Sequence, residues 1–166
     1  MNKFKFLSIL AVFIILGCED EQEVYSISEV PSVFTKKALI EEFTGAWCGY
    51  CPDGAYRLEN LINSNAENII GVSTHSGDAM EVSQTSFLES TYQNIGYPSG
   101  MVDRISYNGY VTLNRGYWEY VSSNQLLNIA SCGLAIKSNV NGNTATVEVH
   151  AGFSSFHSGD HRLTVY

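Results

Sequence analysis

The segment EEFTGAWCGYCPDG (residues 41–54) contains two cysteines separated by two residues. It overlaps an apolar stretch, Lys37–Phe43, that predicts a β-strand, and from Pro52 the apolar residues recur with helical spacing. The order strand, turn, cysteines and helix places Cys48 at or near a helix N-terminus, where free amides and the helix dipole favour the thiolate. Cys48 is therefore the predicted nucleophile, Cys51 is placed to resolve a mixed disulfide, and Trp47 supplies a flat apolar surface beside the sulfur.

A Cys-x-x-Cys pair can instead bind zinc or form a permanent disulfide. Structural zinc sites usually need four ligands, and adding His75 and Cys132 to the single pair gives a spacing that matches no common zinc module. We therefore predict no metal. A disulfide that closes over two residues removes little entropy from the unfolded chain, so it would be a weak structural bridge. The spacing favours reversible exchange, and a structural disulfide remains the alternative.

The region between residues 55 and 130 alternates between helical and extended patterns. A continuous apolar run, Asn68–Thr74, is typical of a strand buried on both faces, and the loop His75–Asp78 follows it. The further predicted elements are a helix at Val82–Gln93, a turn at Gly96–Gly100, a strand at Met101–Arg104, a hairpin at Asn108-Gly109 between Ile105–Tyr107 and Tyr110–Thr112, and a helix at Gly116–Leu127. This alternation indicates an α/β fold.

The order strand, Trp-Cys-x-x-Cys and helix resembles the thioredoxin family. The resemblance implies a thioredoxin-like fold over residues 36–130 with Cys48 and Cys51 as its active site. It also implies that Glu42, six residues before Cys48, is a buried acid that moves protons for Cys51. The alternative is a Glu42 on an exposed strand face, because the adjacent Glu41 competes for the inward position.

One proline of the sequence supports the resemblance to the thioredoxin family, and a second one departs from it. Tyr97-Pro98 resembles the cis-proline loop of the family, which implies that it packs against the cysteines and binds the substrate backbone. Pro52 departs from the family, in which a basic residue is common at that position. It predicts a helix whose first turn is irregular or begins at Pro52 itself.

From Ala130 onwards the pattern changes to short alternating runs between polar, glycine-rich turns. Strands are predicted at Cys132–Lys137, Ala145–Ala151 and Arg162–Tyr166, which make residues 131–166 a partial antiparallel β module of sandwich-like type. Three strands form a poor independent sandwich, so we expect this C-terminal β domain to be truncated and incomplete. Cys132 is expected to be a buried, inert thiol.

The N-terminus has the features of a secretory signal. A short basic start precedes an apolar run, Phe6–Leu16, that is shorter than the roughly 20 residues needed to span a bilayer. Gly17 and Cys18 follow it in an order that resembles the lipobox of bacterial lipoproteins, which implies removal of a signal peptide at 1–17 and lipid on Cys18. An ordinary signal peptide that contains a cysteine is the alternative.

Residues 18–35 lack a sustained period and predict an acidic tether between the membrane and the domain. The net charge of the chain is −8, and removal of the signal peptide would take away two lysines and make it more acidic. So acidic a protein is a poor partner for nucleic acid, whereas the lipid on Cys18 would hold it to a membrane.

Three segments together are more specific than thioredoxin in general: EEFTGAWCGYCPDG, THSGD at 74–78 and GYPSGMVDR at 96–104. They resemble the lipoprotein family related to the twenty-eight-kilodalton outer-membrane protein, over Lys36 to Tyr166. The resemblance implies a lipoprotein signal, a thioredoxin-like domain and a C-terminal β domain. His75 and Asp78 belong to the family's pattern and either line the cysteine cleft or stabilise a turn.

The sequence thus predicts a cell-envelope lipoprotein of the outer membrane, facing the periplasm or the surface, that acts as a thiol–disulfide oxidoreductase of reductase or isomerase type. Its partners would be client proteins that carry disulfides or thiols, and it would need no cofactor. Tyr97 and Pro98 would bind the client, and Trp47, Glu42 and His75 would support the cysteines. The alternative is a non-enzymatic surface lipoprotein, an adhesin or assembly component, with a structural disulfide.

Overall fold

The computed structural model describes residues 30, 33–156, 158–159 and 161–166, so the predicted signal peptide and Cys18 lie outside the described residues. The described chain is of mixed α/β class. Its elements are β1 (Ala38–Thr44), α1 (Cys51–Ser64), β2 (Ile69–His75), α2 (Thr85–Thr91), β3 (Ser99–Val102), β4 (Leu113–Asn114), a 3₁₀ turn (Arg115–Tyr117), α3 (Trp118–Leu126), β5 (Cys132–Asn141) and β6 (Thr144–Phe153). Among the described helices, none has the length and apolar character required to cross a bilayer.

The first four strands form one mixed sheet in the order β2-β1-β3-β4. β1 and β2 are parallel, whereas β3 is antiparallel to β1 and β4 is antiparallel to β3. The register of the parallel pair aligns Glu42 with Ser73 and Thr44 with His75. The C-terminal ends of β1 and β2 therefore lie side by side, at the edge where α/β sheets usually carry their sites.

The main hydrophobic core lies between one face of this sheet and the helices α1 and α3. Trp118 of α3 is fully buried, and Leu58 is the apolar contact from α1. The other buried members of the core are Ile40, Ile69, Val102, Leu113 and Val121. Because side chains alternate along a strand, Glu42 shares the α1 face of the sheet with Ile40, whereas Glu41 lies on the opposite face.

The strand predicted at Met101–Arg104 is displaced by two residues, since β3 occupies Ser99–Val102. Asp103 and Arg104 both adopt left-handed backbone conformations, with φ of 49° and 51°, and these turn the chain away from the sheet. Asp103 Oδ1 accepts a hydrogen bond from Leu39 N at 2.8 Å, so the turn is fastened to β1.

Two further elements are shorter than predicted. The helix α2 covers Thr85–Thr91 rather than Val82–Gln93, and Gln93 has a φ of 53°, which is incompatible with a continuing helix. Asn108 and Gly109 do form the predicted turn, and both have positive φ. The residues on either side of the turn make a single antiparallel bridge, between Tyr107 and Tyr110. The predicted hairpin strands are wrong because the chain leaves the turn to pair β4 with β3.

The C-terminal region contains a separate two-stranded antiparallel sheet, β5 and β6, and the third predicted strand is wrong. Residues 162–166 form neither helix nor strand. Tyr166 instead directs its hydroxyl to the carboxylate of Glu41, and Arg104 donates a hydrogen bond to the same hydroxyl. At Tyr166 the described chain thus makes a polar contact with Glu41 of β1 and Arg104 in place of strand pairing.

The expectation of a buried Cys132 is also wrong. Cys132 opens β5 as an exposed free thiol. It lines a groove of about 800 Å³ together with Phe34, Leu39, Ile70 and Leu134, and the Cys48–Cys51 pair is not part of that lining.

Candidate active site

Cys48 and Cys51 form a disulfide with a Cα–Cα distance of 5.4 Å at the N-terminus of α1. The turn before the helix is closed by a hydrogen bond from Cys48 N to Gly45 O at 2.9 Å. Helix α1 begins at Cys51, one residue before Pro52, so the prediction that its first turn starts at Pro52 is off by one residue. Proline is compatible with this position because the first turn of a helix has no acceptor for its missing N–H.

Both cysteines of the disulfide are buried. Cys48 is 8% exposed and Cys51 is 4% exposed. Cys48 lies in the turn that precedes the helix, and Trp47 beside it is 57% exposed. Cys48 therefore lies beside an exposed aromatic ring, whereas Cys51 is the first residue of α1.

The Tyr97-Pro98 peptide bond is cis and leads directly into β3. Pro98 is buried against the first turn of α1, since a Cβ built on Gly54 would lie 2.7 Å from the Cβ of Pro98. Tyr97 packs edge-on against the indole of Trp47, with 5.1 Å between the ring centroids. The loop therefore contacts both sides of the cysteine pair, through Trp47 before it and through Gly54 after it.

Tyr97 is fixed from behind by Glu89 of α2, to which its hydroxyl donates a hydrogen bond. Burial, followed by this contact with Glu89, raises the pKa of Tyr97. Asn94 Oδ1 accepts hydrogen bonds from Gly96 N at 3.0 Å and from Ser99 Oγ at 2.7 Å, on either side of the cis bond. These polar contacts hold the loop in place through both Tyr97 and Ser99.

Glu42 is buried, with 1% of its surface exposed, so the alternative of an exposed Glu42 is wrong. Its Oε2 accepts a hydrogen bond from Ser73 Oγ at 3.1 Å. Its Oε1 has no hydrogen-bond partner among the described residues and would lie 2.5 Å from a Cβ on Gly54. Burial raises the pKa of Glu42, and the Ser73 hydrogen bond and the charge of His75 oppose that effect.

Glu41 does not compete with Glu42 for this position. It is equally buried, but it lies on the other face of the sheet and forms an ion pair with Arg104. Both acids are therefore inside the domain, and only Glu42 faces the helix that carries the cysteines.

His75 ends β2 and contacts Asp78, with 2.7 Å between Nδ1 and Oδ2. Asp78 Oδ2 also accepts a hydrogen bond from Ala46 N at 2.7 Å, which joins this loop to the turn before Cys48. The contact with His75 and then the Ala46 amide lower the pKa of Asp78 to about 2. These contacts stabilise the loop after β2 and attach it to the turn before Cys48.

The same loop also positions the indole of Trp47. Trp47 Nε1 donates a hydrogen bond to Ser76 O at 2.7 Å. A Cβ at Gly77 would lie 2.9 Å from Nε1, and one at Gly45 would lie 2.7 Å from it. Two glycines thus allow the backbone to approach the ring closely.

The sequence does not identify three contributors to the site: Gly54, Ser73 and Glu89. Ser73 is detectable in principle, because it has the same strand parity as His75 and pairs with Glu42 in the parallel register. Gly54 also leaves a signal, since a glycine one turn after Cys51 in a predicted helix indicates a close approach of another group. No sequence signal connects Glu89 with Tyr97.

A methyl group at position 54 tests how tightly the site is packed. Alanine favours a helix interior over glycine by about 1 kcal/mol, so propensity alone predicts that Gly54→Ala stabilises the protein. Because its Cβ would meet Glu42 Oε1 and Pro98, we expect instead a loss of about 1–3 kcal/mol in the free energy of unfolding, measured by urea denaturation. Gly49→Ala is the matched control, since a Cβ there meets nothing within 4 Å. Equal stability of the two variants would contradict the packing.

Comparison with known proteins gives a fold relationship only. No protein-family model and no curated protein matches the chain. Among solved structures, HBP35 of Porphyromonas gingivalis matches 74% of this chain with 20% identity and a TM-score of 0.61. The protein AGR_C_4864 from Agrobacterium tumefaciens matches 70% of it with 13% identity and a TM-score of 0.50. The chain spans 44% of the HBP35 chain and 57% of the other.

Proposed function

We propose that the protein is a thiol–disulfide oxidoreductase with a thioredoxin-like fold. The observation that carries the proposal is the Cys48–Cys51 disulfide at the N-terminus of α1, next to the loop in which Tyr97 packs on Trp47 and Pro98 on the Gly54 position. The strand order β2-β1-β3-β4, with β3 antiparallel to its neighbours, supports the fold assignment.

In the reduced protein, Cys48 is the nucleophile because it precedes the free amides of α1, which favour its thiolate. Its thiolate attacks a client disulfide, one client sulfur leaves as thiolate with the bonding electron pair, and a mixed disulfide forms. Cys51 then attacks Cys48 Sγ and releases the second client thiolate. The client gains two electrons and the protein returns to its disulfide form.

Cys51 must lose its proton before it can attack. Glu42 is on the α1 face of the sheet, and its free Oε1 lies beside Gly54, which is one helical turn after Cys51 and shares its side of the helix. A carboxyl group whose pKa is raised by burial is a better-matched base near neutral pH than an exposed one. We assign Glu42 the role of proton acceptor for Cys51.

The client chain would lie along the cis-proline loop. Tyr97 and the exposed ring of Trp47 offer it an aromatic surface next to Cys48. The client class consists of proteins with disulfides or thiols. We propose that the enzyme reduces or isomerises client disulfides and is not a primary oxidant. We also propose that it belongs to the lipoprotein family related to the twenty-eight-kilodalton outer-membrane protein. Lipid on Cys18 would attach it to the outer membrane.

The reduction potential of the Cys48–Cys51 pair distinguishes a working couple from a permanent disulfide. We expect a value between roughly −270 and −180 mV, the range of thioredoxin and protein disulfide isomerase, together with dithiol-dependent reduction of insulin. The measurement equilibrates the protein with glutathione or dithiothreitol buffers and quantifies free thiols in a Cys132→Ser background. A potential below about −300 mV with slow exchange would favour the structural disulfide of a non-enzymatic surface lipoprotein.

A further inference from the structure

Ser73 donates a hydrogen bond to Glu42, and the chemistry proposed above for the cysteines assigns this serine no role. It lies on β2, the edge strand of the sheet, and is exposed, yet its hydroxyl reaches a buried carboxyl group. The 3.1 Å contact with Glu42 Oε2 is the only hydrogen bond that the described residues give to that carboxyl group. Ser73 thus holds one oxygen of Glu42 and leaves the other free.

The two oxygens of Glu42 face different parts of the domain. Oε2 points to the β2 edge and Ser73, whereas Oε1 points to Gly54 and Pro98 beneath the first turn of α1. A hydrogen bond that fixes Oε2 also fixes the rotation of the carboxyl group, so that Oε1 stays directed at the helix that carries Cys51. The position of Gly54 is essential to this arrangement because a side chain there would occupy the space next to Oε1.

We propose that Ser73 is a positioning residue for thiol–disulfide exchange, which holds the carboxylate of Glu42 with Oε1 free to accept the proton of Cys51. The inference rests on the proposed function. In the step that it serves, the Sγ–H bond of Cys51 breaks and an O–H bond forms at Oε1. The Cys51 sulfur then bonds to Cys48 Sγ, and the client thiolate leaves with the electron pair. Ser73 touches neither sulfur and acts only through Glu42.

Charged groups near Glu42 could also change its pKa, independently of Ser73. On the same face of β2, His75 is two residues beyond Ser73, and its charge lowers the pKa of Glu42. Asp78 holds the His75 ring and faces it rather than Glu42. Helix α1 contributes Gly54 and the cis-proline loop contributes Pro98, neither of which is ionisable, and Asp53 at the start of α1 pairs with Arg57 and Arg115.

The test compares Ser73→Ala with Ser73→Thr. Threonine keeps the hydroxyl and favours a strand, whereas alanine removes the only donor that the described residues give to the carboxylate. In Ser73→Ala we expect the Glu42 carboxyl titration, followed by ¹³C NMR in the disulfide form, to move upward by roughly 0.5–1 pH unit. The acid limb of the rate at which Cys51 resolves a Cys48 mixed disulfide should move in the same direction by a similar amount.

Threonine should return both quantities to those of the unchanged protein, and Ser83→Ala, an exposed serine that contacts Gln84, should leave them unaltered. The role of Ser73 would be overturned if Glu42 titrated in Ser73→Ala as it does in the unchanged protein. It would also be overturned if Ser73→Thr shifted that titration as much as Ser73→Ala does. Failure of the proposed function is distinguishable, because the unchanged protein would then resolve no mixed disulfide at any pH. An active protein whose pH profile ignores Ser73 would overturn the positioning role alone.

Discussion

Replacement of Cys48 with serine is expected to reduce dithiol-dependent insulin reduction to the background rate of dithiothreitol alone. Serine cannot form the mixed disulfide, and the proposal assigns the attack to Cys48, which precedes the free amides of α1, and not to Cys51 within the helix. Cys51→Ser should behave differently, since Cys48 still attacks but nothing resolves the product. We expect that variant to accumulate mixed disulfides with client proteins, visible as adducts that dithiothreitol releases.

Both variants belong in a Cys132→Ser background, because Cys132 is an exposed free thiol that can form adducts of its own. Cys132→Ser alone is the control and should reduce insulin at the rate of the unchanged protein. Full activity of Cys48→Ser would contradict its role as nucleophile. An absence of trapped adducts with Cys51→Ser, together with inactivity of the unchanged protein, would leave the pair as a structural disulfide.

The order of elements around the cysteines is predictable from sequence because each is encoded locally. The apolar run of β1, the glycine-containing turn and the helical spacing after Pro52 are all short-range signals, and they place the disulfide at a helix N-terminus. Burial of Glu42 is a different kind of inference. The alternation of side chains along a strand places Glu41 and Glu42 on opposite faces, but it does not say which face packs against the helix that carries the cysteines. The prediction that Glu42 is the acid on that face rests on its offset from Cys48, which resembles the thioredoxin family.

The elements that differ from prediction depend on contacts distant in sequence. Residues 162–166 have a strand-like pattern, but Tyr166 bonds to a carboxylate 125 residues away instead of pairing with β6. Asp103 and Arg104 have the pattern of a strand end, yet both adopt left-handed backbone so that Asp103 can bind the amide of Leu39. Local propensity carries no information about such partners.

The same limit applies to the site. Pro98, Gly54 and Glu42 Oε1 converge within a few ångströms of one another, although they come from three separate segments of the chain. Only the parallel pairing of β1 and β2 brings Ser73 to Glu42, and a register shift of one residue would turn Ser73 to the other face. The sequence pattern therefore identifies the cysteines, whereas the arrangement of the groups proposed to control their protons depends on the tertiary structure.

Arg104→Met should cause a large loss of stability even though the arginine side chain is partly exposed. Arg104 binds Glu41 through two hydrogen bonds, Nε to Oε2 at 2.8 Å and a terminal nitrogen to Oε1 at 2.7 Å, and its guanidinium lies 5.0 Å from the ring centre of Tyr92. Contact with Glu41 raises the pKa of Arg104, which keeps the guanidinium charged. Methionine removes the cation and leaves a carboxylate that is 1% exposed.

A buried charge that loses its partner costs about 3–5 kcal/mol, a large share of the roughly 5–15 kcal/mol by which a domain is stable. We expect the lower part of that range for Arg104→Met, because the arginine side chain is 27% exposed and water can enter beside Glu41. Urea denaturation measures the loss. Arg57→Met is the control, since the Arg57–Asp53 pair is exposed and such pairs contribute less than about 1 kcal/mol.

The double variant Glu41→Met with Arg104→Met separates the ion pair from the buried carboxylate. If the loss in Arg104→Met arises from an unpaired charge, then removing Glu41 as well should restore most of the stability, because two apolar side chains of similar length can replace a buried ion pair at little cost. A double variant as unstable as the single one would show instead that the contacts with Tyr92 and Tyr166 or the turn at Asp103 are responsible. The same comparison tests whether the contribution of Glu41 to stability is limited to its ion pair with Arg104, on the face of β1 opposite Glu42.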